Sequence, residues 1–340
     1  MFFRSWKKQQ NRVSYVKEYK MKGATMKKIG LALLIFFAVL PAAAELPGAI
    51  FVNTEMGARS IGMGRSYAAI AEGGESFIYN IGGSAFFDQK EIFFNYQQLE
   101  FFEQDNSALS FFLPVPALHG TLGLNILYFN EGSVDATGEG GENLNSFDVY
   151  QMVVGLTYGA KISEHWGGGI ALKYIQDHLH PDHTGNAVAM DIGALYRNEK
   201  KLSPLTTFAY GFGASVQNIG TKISYQDQEQ ADPLPRYLRT GVRGTLGYEP
   251  WNMDVTMSLG YDMDLVELFT DNGSFHWGCE LGFLEMLFIR GGYYTNNYNE
   301  ESAFNWGLGF SYMNISLDFA MDNLYKLDSA NGIYSLRFRF

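Results

Sequence analysis

The chain has 340 residues, of which 18% are charged and 16% aromatic, and it carries 38 glycines, which excludes a disordered chain and argues against a helical bundle. The mean hydropathy of −0.11 reflects the absence of any run of ~18 apolar residues able to cross a bilayer as a helix. One cysteine, Cys279, excludes an internal disulfide framework and a cysteine-rich zinc site, and a net charge of −11 is poorly suited to holding nucleic acid through its phosphates.

Residues 26–44 begin with Lys27 and Lys28, continue through the apolar stretch 29–40 and end on Ala42-Ala43-Ala44, the pattern of a secretory signal with an A-x-A cleavage site. Cleavage is expected after Ala44, which leaves Glu45 first and no cysteine for lipid anchoring. The basic stretch upstream (Arg4, Lys7, Lys8, Arg12) has no apolar period, so translation is expected to start at Met21 or Met26. Loss of 1–44 removes nine Lys and Arg and one acid, which makes the mature chain more acidic, at −19.

Residues 45–90 contain eight glycines, seven of them at 57, 62, 64, 73, 74, 82 and 83, and no strand period. From Glu91 onward the period is two. In one segment Tyr150, Met152, Val154, Leu156 and Tyr158 alternate with Gln151, Val153, Gly155, Thr157 and Gly159; in another, Phe304, Trp306, Leu308 and Phe310 alternate with Asn305, Gly307, Gly309 and Ser311. Strands are predicted near 91–101, 107–113, 117–129, 147–160, 166–176, 187–197, 207–217, 236–249, 252–263, 274–284, 286–294, 303–312, 314–321 and 331–340. The total is about fourteen, an even number, and the connections alternate between short and long apart from a long turn at 198–206, as in bacterial outer-membrane barrels. A soluble β-sandwich would also alternate, but its bulky faces would have to pack inward. Strands with one face in lipid must instead close into a cylinder, so that no edge N–H or C=O is left unpaired.

At the carboxyl end Tyr334, Leu336, Phe338 and Phe340 alternate with Ser335, Arg337 and Arg339, and this resembles the recognition strand that outer-membrane barrels present to their assembly machinery. The segment Gly57-Ala58-Arg59-Ser60-Ile61-Gly62-Met63-Gly64, the small-residue stretch 66–71, the acidic-glycine stretch 72–75 and Pro233-Leu234-Pro235-Arg236-Tyr237-Leu238-Arg239-Thr240-Gly241 resemble the PorV/PorQ family, within the wider group of barrels similar to FadL, the long-chain fatty acid transporter. Where that family has Asn-Pro-Ala-Gly, this chain has Asn80-Ile81-Gly82-Gly83. The resemblance implies an all-β, transmembrane antiparallel barrel in three parts. Residues 1–44 would be extension and leader, 45–90 an amino-terminal hatch inside the lumen with Gly62, Gly64 and Asn80 as marker positions, and 91–340 the barrel. It further implies either uptake of hydrophobic compounds such as long-chain fatty acids or a PorV-like carrier role with the type IX secretion system, with acidic loops 130–146 and 218–235 meeting the secreted cargo.

Few residues point to chemistry. Gly57 and Gly62 lack the lysine and hydroxyl residue of a phosphate loop, and Gly211-Phe212-Gly213 and Gly307-Leu308-Gly309 lie within strands, not at helix starts. Asp254 and Asp262 have no accompanying nucleophile and base, so no enzyme is read. The run 177–183 holds His178, His180 and His183 in a predicted polar loop, where nothing would fix them as metal ligands, so neither a metal nor a cofactor is assigned. Inward-facing positions include Lys173, Asp191, Arg239, Arg243, Asp254, Asp262, Glu280, Arg290, Asp318, Arg337 and Arg339. These either form a salt-bridged lining or, through Arg239, Arg243 and Arg290 with Asp254 and Glu280 beside them, a site for a substrate carboxylate. Outward Tyr, Trp and Phe at strand ends would sit at the headgroup level of the membrane, and Cys279 shares that lipid face.

Overall fold

The computed structural model describes residues 46–99, 104–137, 143–225, 231–266, 273–296, 301–323 and 331–340. The expected leader, 1–44, and the tips of several predicted loops lie outside these residues. Fourteen strands are formed: β1 (Glu91–Leu99), β2 (Gln104–Val115), β3 (Gly120–Thr137), β4 (Asn143–Lys161), β5 (Trp166–His180), β6 (His183–Ser203) and β7 (Thr206–Gly220). They continue with β8 (Tyr237–Tyr248), β9 (Met253–Asp264), β10 (Gly273–Phe283), β11 (Leu287–Asn296), β12 (Glu301–Tyr312), β13 (Ile315–Asp322) and β14 (Asn331–Arg339).

Each strand pairs antiparallel with its sequence neighbours, and β1 pairs with β14 to close the barrel. The closing register sets Ile92 against Phe338 and Phe94 against Leu336, so the outward faces of first and last strands coincide. Closure leaves no edge, which is what a strand facing hydrocarbon requires. The alternation read in the sequence is the alternation of exposure. Met257, Leu259 and Tyr261 are exposed while Thr256, Ser258 and Asp262 are buried, and the same holds for Phe304, Trp306 and Leu308 against Asn305. The outer wall is therefore an apolar surface and the molecule is a transmembrane β-barrel.

One rim carries tight turns. His119, Asn252, Leu284, Glu285 and Met313 take left-handed backbone there, which lets two antiparallel strands join across few residues. The long 198–206 turn expected from sequence is not found: β6 and β7 continue to Ser203 and Thr206, pairing Glu199 with Ala209 and Lys201 with Thr207. Glu199, Lys200 and Lys201 make the stretch polar on both faces, so hydrophobic alternation stops while backbone pairing goes on. The polar loop expected at 177–183 is likewise a hairpin, in which β5 runs to His180 and β6 starts at His183, with His178 Nδ1 2.7 Å from the Thr184 hydroxyl.

The lumen is filled by residues 46–90. This inner segment makes 3-10 turns at Ile50–Asn53, Gly73–Glu75 and Ile81–Phe86, and two short helices, α1 (Ala58–Gly62) and α2 (Ser76–Tyr79). Its first residues lie at the long-loop rim, where Gly48 donates to the Pro233 carbonyl (3.0 Å). Its last residues lie near the short-turn rim, where Ala85 and Phe86 meet Gly167. Glycine is required where the segment presses on the wall: Gly64 has φ +59, and a Cβ there would stand 2.3 Å from the Tyr293 backbone nitrogen.

Candidate functional site

The interior has two unlike walls. On β1–β6 the inward side chains include Phe93, Ala108, Leu127, Phe129, Val153, Ala171, Ile175 and Ala187, which pack against Val52, Phe77, Ile78 and Ile81 of the inner segment. Phe51 meets Phe129 edge to face at 5.4 Å between centroids. Apolar contact of this kind has no direction and no fixed partner. At the long-loop end Ile223 and Leu234 fold in and are buried in the same cluster. Beside them Tyr225 donates to Asp177 Oδ2 at 2.7 Å; burial first, then this hydrogen bond, pushes the Tyr225 phenol well above its usual range, so it stays a donor. Charges also face inward on this wall: Lys173 reaches Asp191 at 2.6 Å and Asn218 at 2.9 Å, Arg197 of β6 donates to the Ile70 carbonyl at 2.6 Å and stands 3.8 Å from Glu72, and Glu91 of β1 is buried and accepts from Gly74 N at 2.8 Å.

On β8–β14 the inward residues include a concentration of charge among small and polar side chains such as Ser258, Asn305 and Ser335, and several of these charges grip the inner segment by ion pairs. Arg59, at the second position of α1, binds Glu280 of β10 through both Nε (2.9 Å) and Nη2 (2.7 Å) and reaches Glu72 at 2.8 Å. Glu280 also receives Arg290 of β11 at 2.5 Å, and Arg290 spans onward to Asp318 of β13 at 2.6 Å. Arg65 binds Glu55 at 2.7 Å and Asp322 at 2.6 Å. Arg239 binds Glu55, Asp262 (2.6 Å) and Gln217 (2.8 Å). Glu75 accepts from Arg337 at 3.0 Å and from the backbone and hydroxyl of Ser60 at 3.1 and 3.0 Å. A second hydrogen bond fixes the geometry of most of these pairs, which is what lets a buried charge persist.

The predicted positions separate in this frame. Arg239, Arg290 and Glu280 are buried members of the lattice, and Arg243 joins it at 3.1 Å from Glu72. Asp254 has the inward parity but sits exposed at the short-turn rim, beside Gly247 and Gly282. Gly62 lies against Gly307, its Cβ position 3.2 Å from the Gly307 Cα. Asn80 ties three pieces together: its side chain accepts from Gly82 N (3.0 Å) and donates to the carbonyls of Ala68 (2.8 Å) and Ala194 of β6 (3.0 Å). Tyr334, Leu336, Phe338 and Phe340 are exposed on the outer face. The inner-segment partners Glu55, Arg59, Arg65, Glu72 and Glu75 were not read as ion-pair partners from sequence, because that stretch has no period. The available signal was charge embedded among glycines destined for burial.

No family model matches the chain and no curated protein does, so the likeness to the PorV/PorQ family rests on the residues quoted for it. Solved structures with a similar barrel include the Ralstonia pickettii toluene transporter TbuX, at 12% identity and TM-score 0.48 over 86% of this chain and 100% of that one. The Pseudomonas putida toluene transporter TodX follows at 11% and 0.44, over 86% and 97%. KdgM porin stands at 10% and 0.36, over 74% and 99%. No function follows from likeness at this level.

Proposed function

We propose that the protein is an outer-membrane channel for hydrophobic compounds, in which solute passes between the inner segment and the wall β1–β6 while the ion-pair lattice holds that segment to β8–β14. The supporting observation is the division of the lumen. Solute moving past Phe93, Leu127, Phe129, Val153 and Ile175 displaces apolar contacts and spares the fixed hydrogen bonds of Gly74 to Glu91, Asn80 to Ala194 and Arg197 to Ile70, whereas a route along the charged side would break paired charges. Arg239, Arg243 and Arg290 already hold protein carboxylates. Uncharged hydrophobic compounds therefore suit the lumen better than long-chain fatty acids, whose carboxylate would compete with Glu72, Asp262 or Asp318 for those guanidiniums. The acidic loop expected at 130–146 is instead mostly paired strand, β3 to Thr137 and β4 from Asn143, and β7 takes in 218–220; in the carrier alternative this hairpin and the segment after β7 would face a partner, and the inward fold of Ile223 and Leu234 favours the channel.

Proteoliposomes containing the barrel should take up a labelled uncharged aromatic compound faster than a labelled fatty acid, and both faster than liposomes holding an unrelated barrel of similar size. Equal uptake in the control liposomes contradicts the channel. Recovery of secretion components or folded cargo with the barrel from outer membranes would restore the carrier reading.

A further inference from the structure

We propose that the outer wall carries a groove for one phospholipid of the periplasmic leaflet, with an acyl chain lying across β11–β14 and β1 and its phosphate at Lys90. This rests on the outer-membrane placement proposed above. The groove is a hollow of about 800 Å³ in the outer face, lined by Ile289 of β11, Leu308 of β12, Leu317 of β13, Leu336 of β14 and Phe94 of β1. Five neighbouring strands at ~4.8 Å spacing make a concavity about 19 Å across, on a surface that in a barrel is ordinarily convex.

The inside of the wall accounts for the hollow. Behind it lies α1, where Ala58 and Ile61 pack on Ala320 and Ile333 in a small separate cluster. Gly62 meets Gly307 with the Cβ position only 3.2 Å from the Gly307 Cα, so this wall approaches the helix closely. The Arg290 to Asp318 pair at 2.6 Å draws β11 and β13 toward the same line. Small inward residues thus let the sheet sink onto α1, and the outer face is dented where the inner segment is held most tightly.

Charge decides which occupant fits. Lys90 is exposed and shares the outward parity of Ile92 and Phe94. Its Nζ lies 5.4 Å from the centre of the Phe340 ring, and Phe340 N donates to the Lys90 carbonyl at 3.1 Å. Lys90 stands four residues below Phe94, about 13 Å along the strand, which is about 10 Å of depth for a strand tilted by ~40°. An acyl chain in the hollow therefore lies within the ~15 Å hydrocarbon depth of one leaflet when a phosphate is at Lys90. This is the tight-turn rim, which in such barrels faces the periplasm. At the opposite edge of the groove the turn before β11 carries Glu285, which repels a phosphate and leaves Lys90 as the anchoring end. Beside Lys90, Asp88 is exposed, and Arg339 is held at 3.0 Å by the buried Glu91.

The test uses the full chain purified in mild detergent, stripped of lipid and titrated with phosphatidylglycerol under native mass spectrometry. One phosphatidylglycerol per barrel is expected for the parent protein. Leu317→Trp, which fills the hollow, should weaken retention at least about tenfold, and Lys90→Glu by a smaller factor. Val242→Trp, on the outer face of β8, should leave it unchanged; heat-shifted gel migration checks that every variant is folded. No retained lipid, equal retention in Leu317→Trp, or a dimer in place of a lipid adduct overturns the proposal. Membrane fractionation tests the placement separately: a barrel outside the outer membrane sinks the placement, and a correctly located barrel without bound lipid sinks the groove alone.

Discussion

The two walls of the lumen solve different problems with the same strand geometry. On β8–β14, Arg239, Glu280, Arg290, Asp318 and Arg337 meet charged groups of the inner segment or of each other across 2.5–3.0 Å, and each contact specifies one partner at one distance. On β1–β6, Phe93, Leu127, Phe129, Val153 and Ile175 meet Val52, Phe77 and Ile81 through apolar surface, which tolerates sliding. In the proposed channel the ion pairs fix the plug, and the apolar patch of β1–β6 is the face that gives way. The hollow over β11–β14 lies on the outer face of the same wall on whose inner face α1 packs.

The comparison can be broken from the charged side first. Arg239→Ala leaves Asp262 buried without its guanidinium and Glu55 with Arg65 alone, and should cost about 3–5 kcal/mol, read as a lower urea midpoint in detergent and as a rise in ion conductance across planar bilayers. A fully stable, silent variant would show that the lattice does not hold the inner segment. Next, Gly64→Ala places a methyl 2.3 Å from the Tyr293 nitrogen on left-handed backbone and should cost about 3 kcal/mol from strain and overpacking together. Leu127→Ala, on the apolar wall, should cost about 2–3 kcal/mol but accelerate rather than abolish uptake of a bulky uncharged solute; lost uptake would place the route elsewhere. Smallest is Asn80→Ala, which leaves the Ala68 and Ala194 carbonyls without their donor and should cost about 1–2 kcal/mol, with no change in conductance as long as the ion pairs persist.

Much of the barrel was legible because lipid on one side and a packed lumen on the other impose opposite demands on successive residues. Met257 against Ser258 or Trp306 against Asn305 shows the strand without further help. Strand ends were not legible where both sides are polar: Glu199, Lys200 and Lys201 extend β6, and His178 and His180 extend β5, through backbone pairing that no hydrophobic alternation announces. The lumen was half legible. Arg239, Glu280 and Arg290 follow from parity, but their partners Glu55, Arg59 and Glu72 lie in a stretch of turns, where neighbours in space are set by the route of the chain and not by a period. Asp254 shows the limit of parity itself: the side is right and the height along the strand leaves it at the rim.

The most direct test of a route along β1–β6 is photolabelling during uptake. A hydrophobic probe carrying an alkyl diazirine, loaded from the long-loop side into proteoliposomes and then illuminated, should leave adducts on Phe129, Val153 and Ile175, mapped by mass spectrometry after digestion. Adducts confined to inward positions of β8–β14, or to lipid-facing residues such as Leu259 and Trp306, contradict the account.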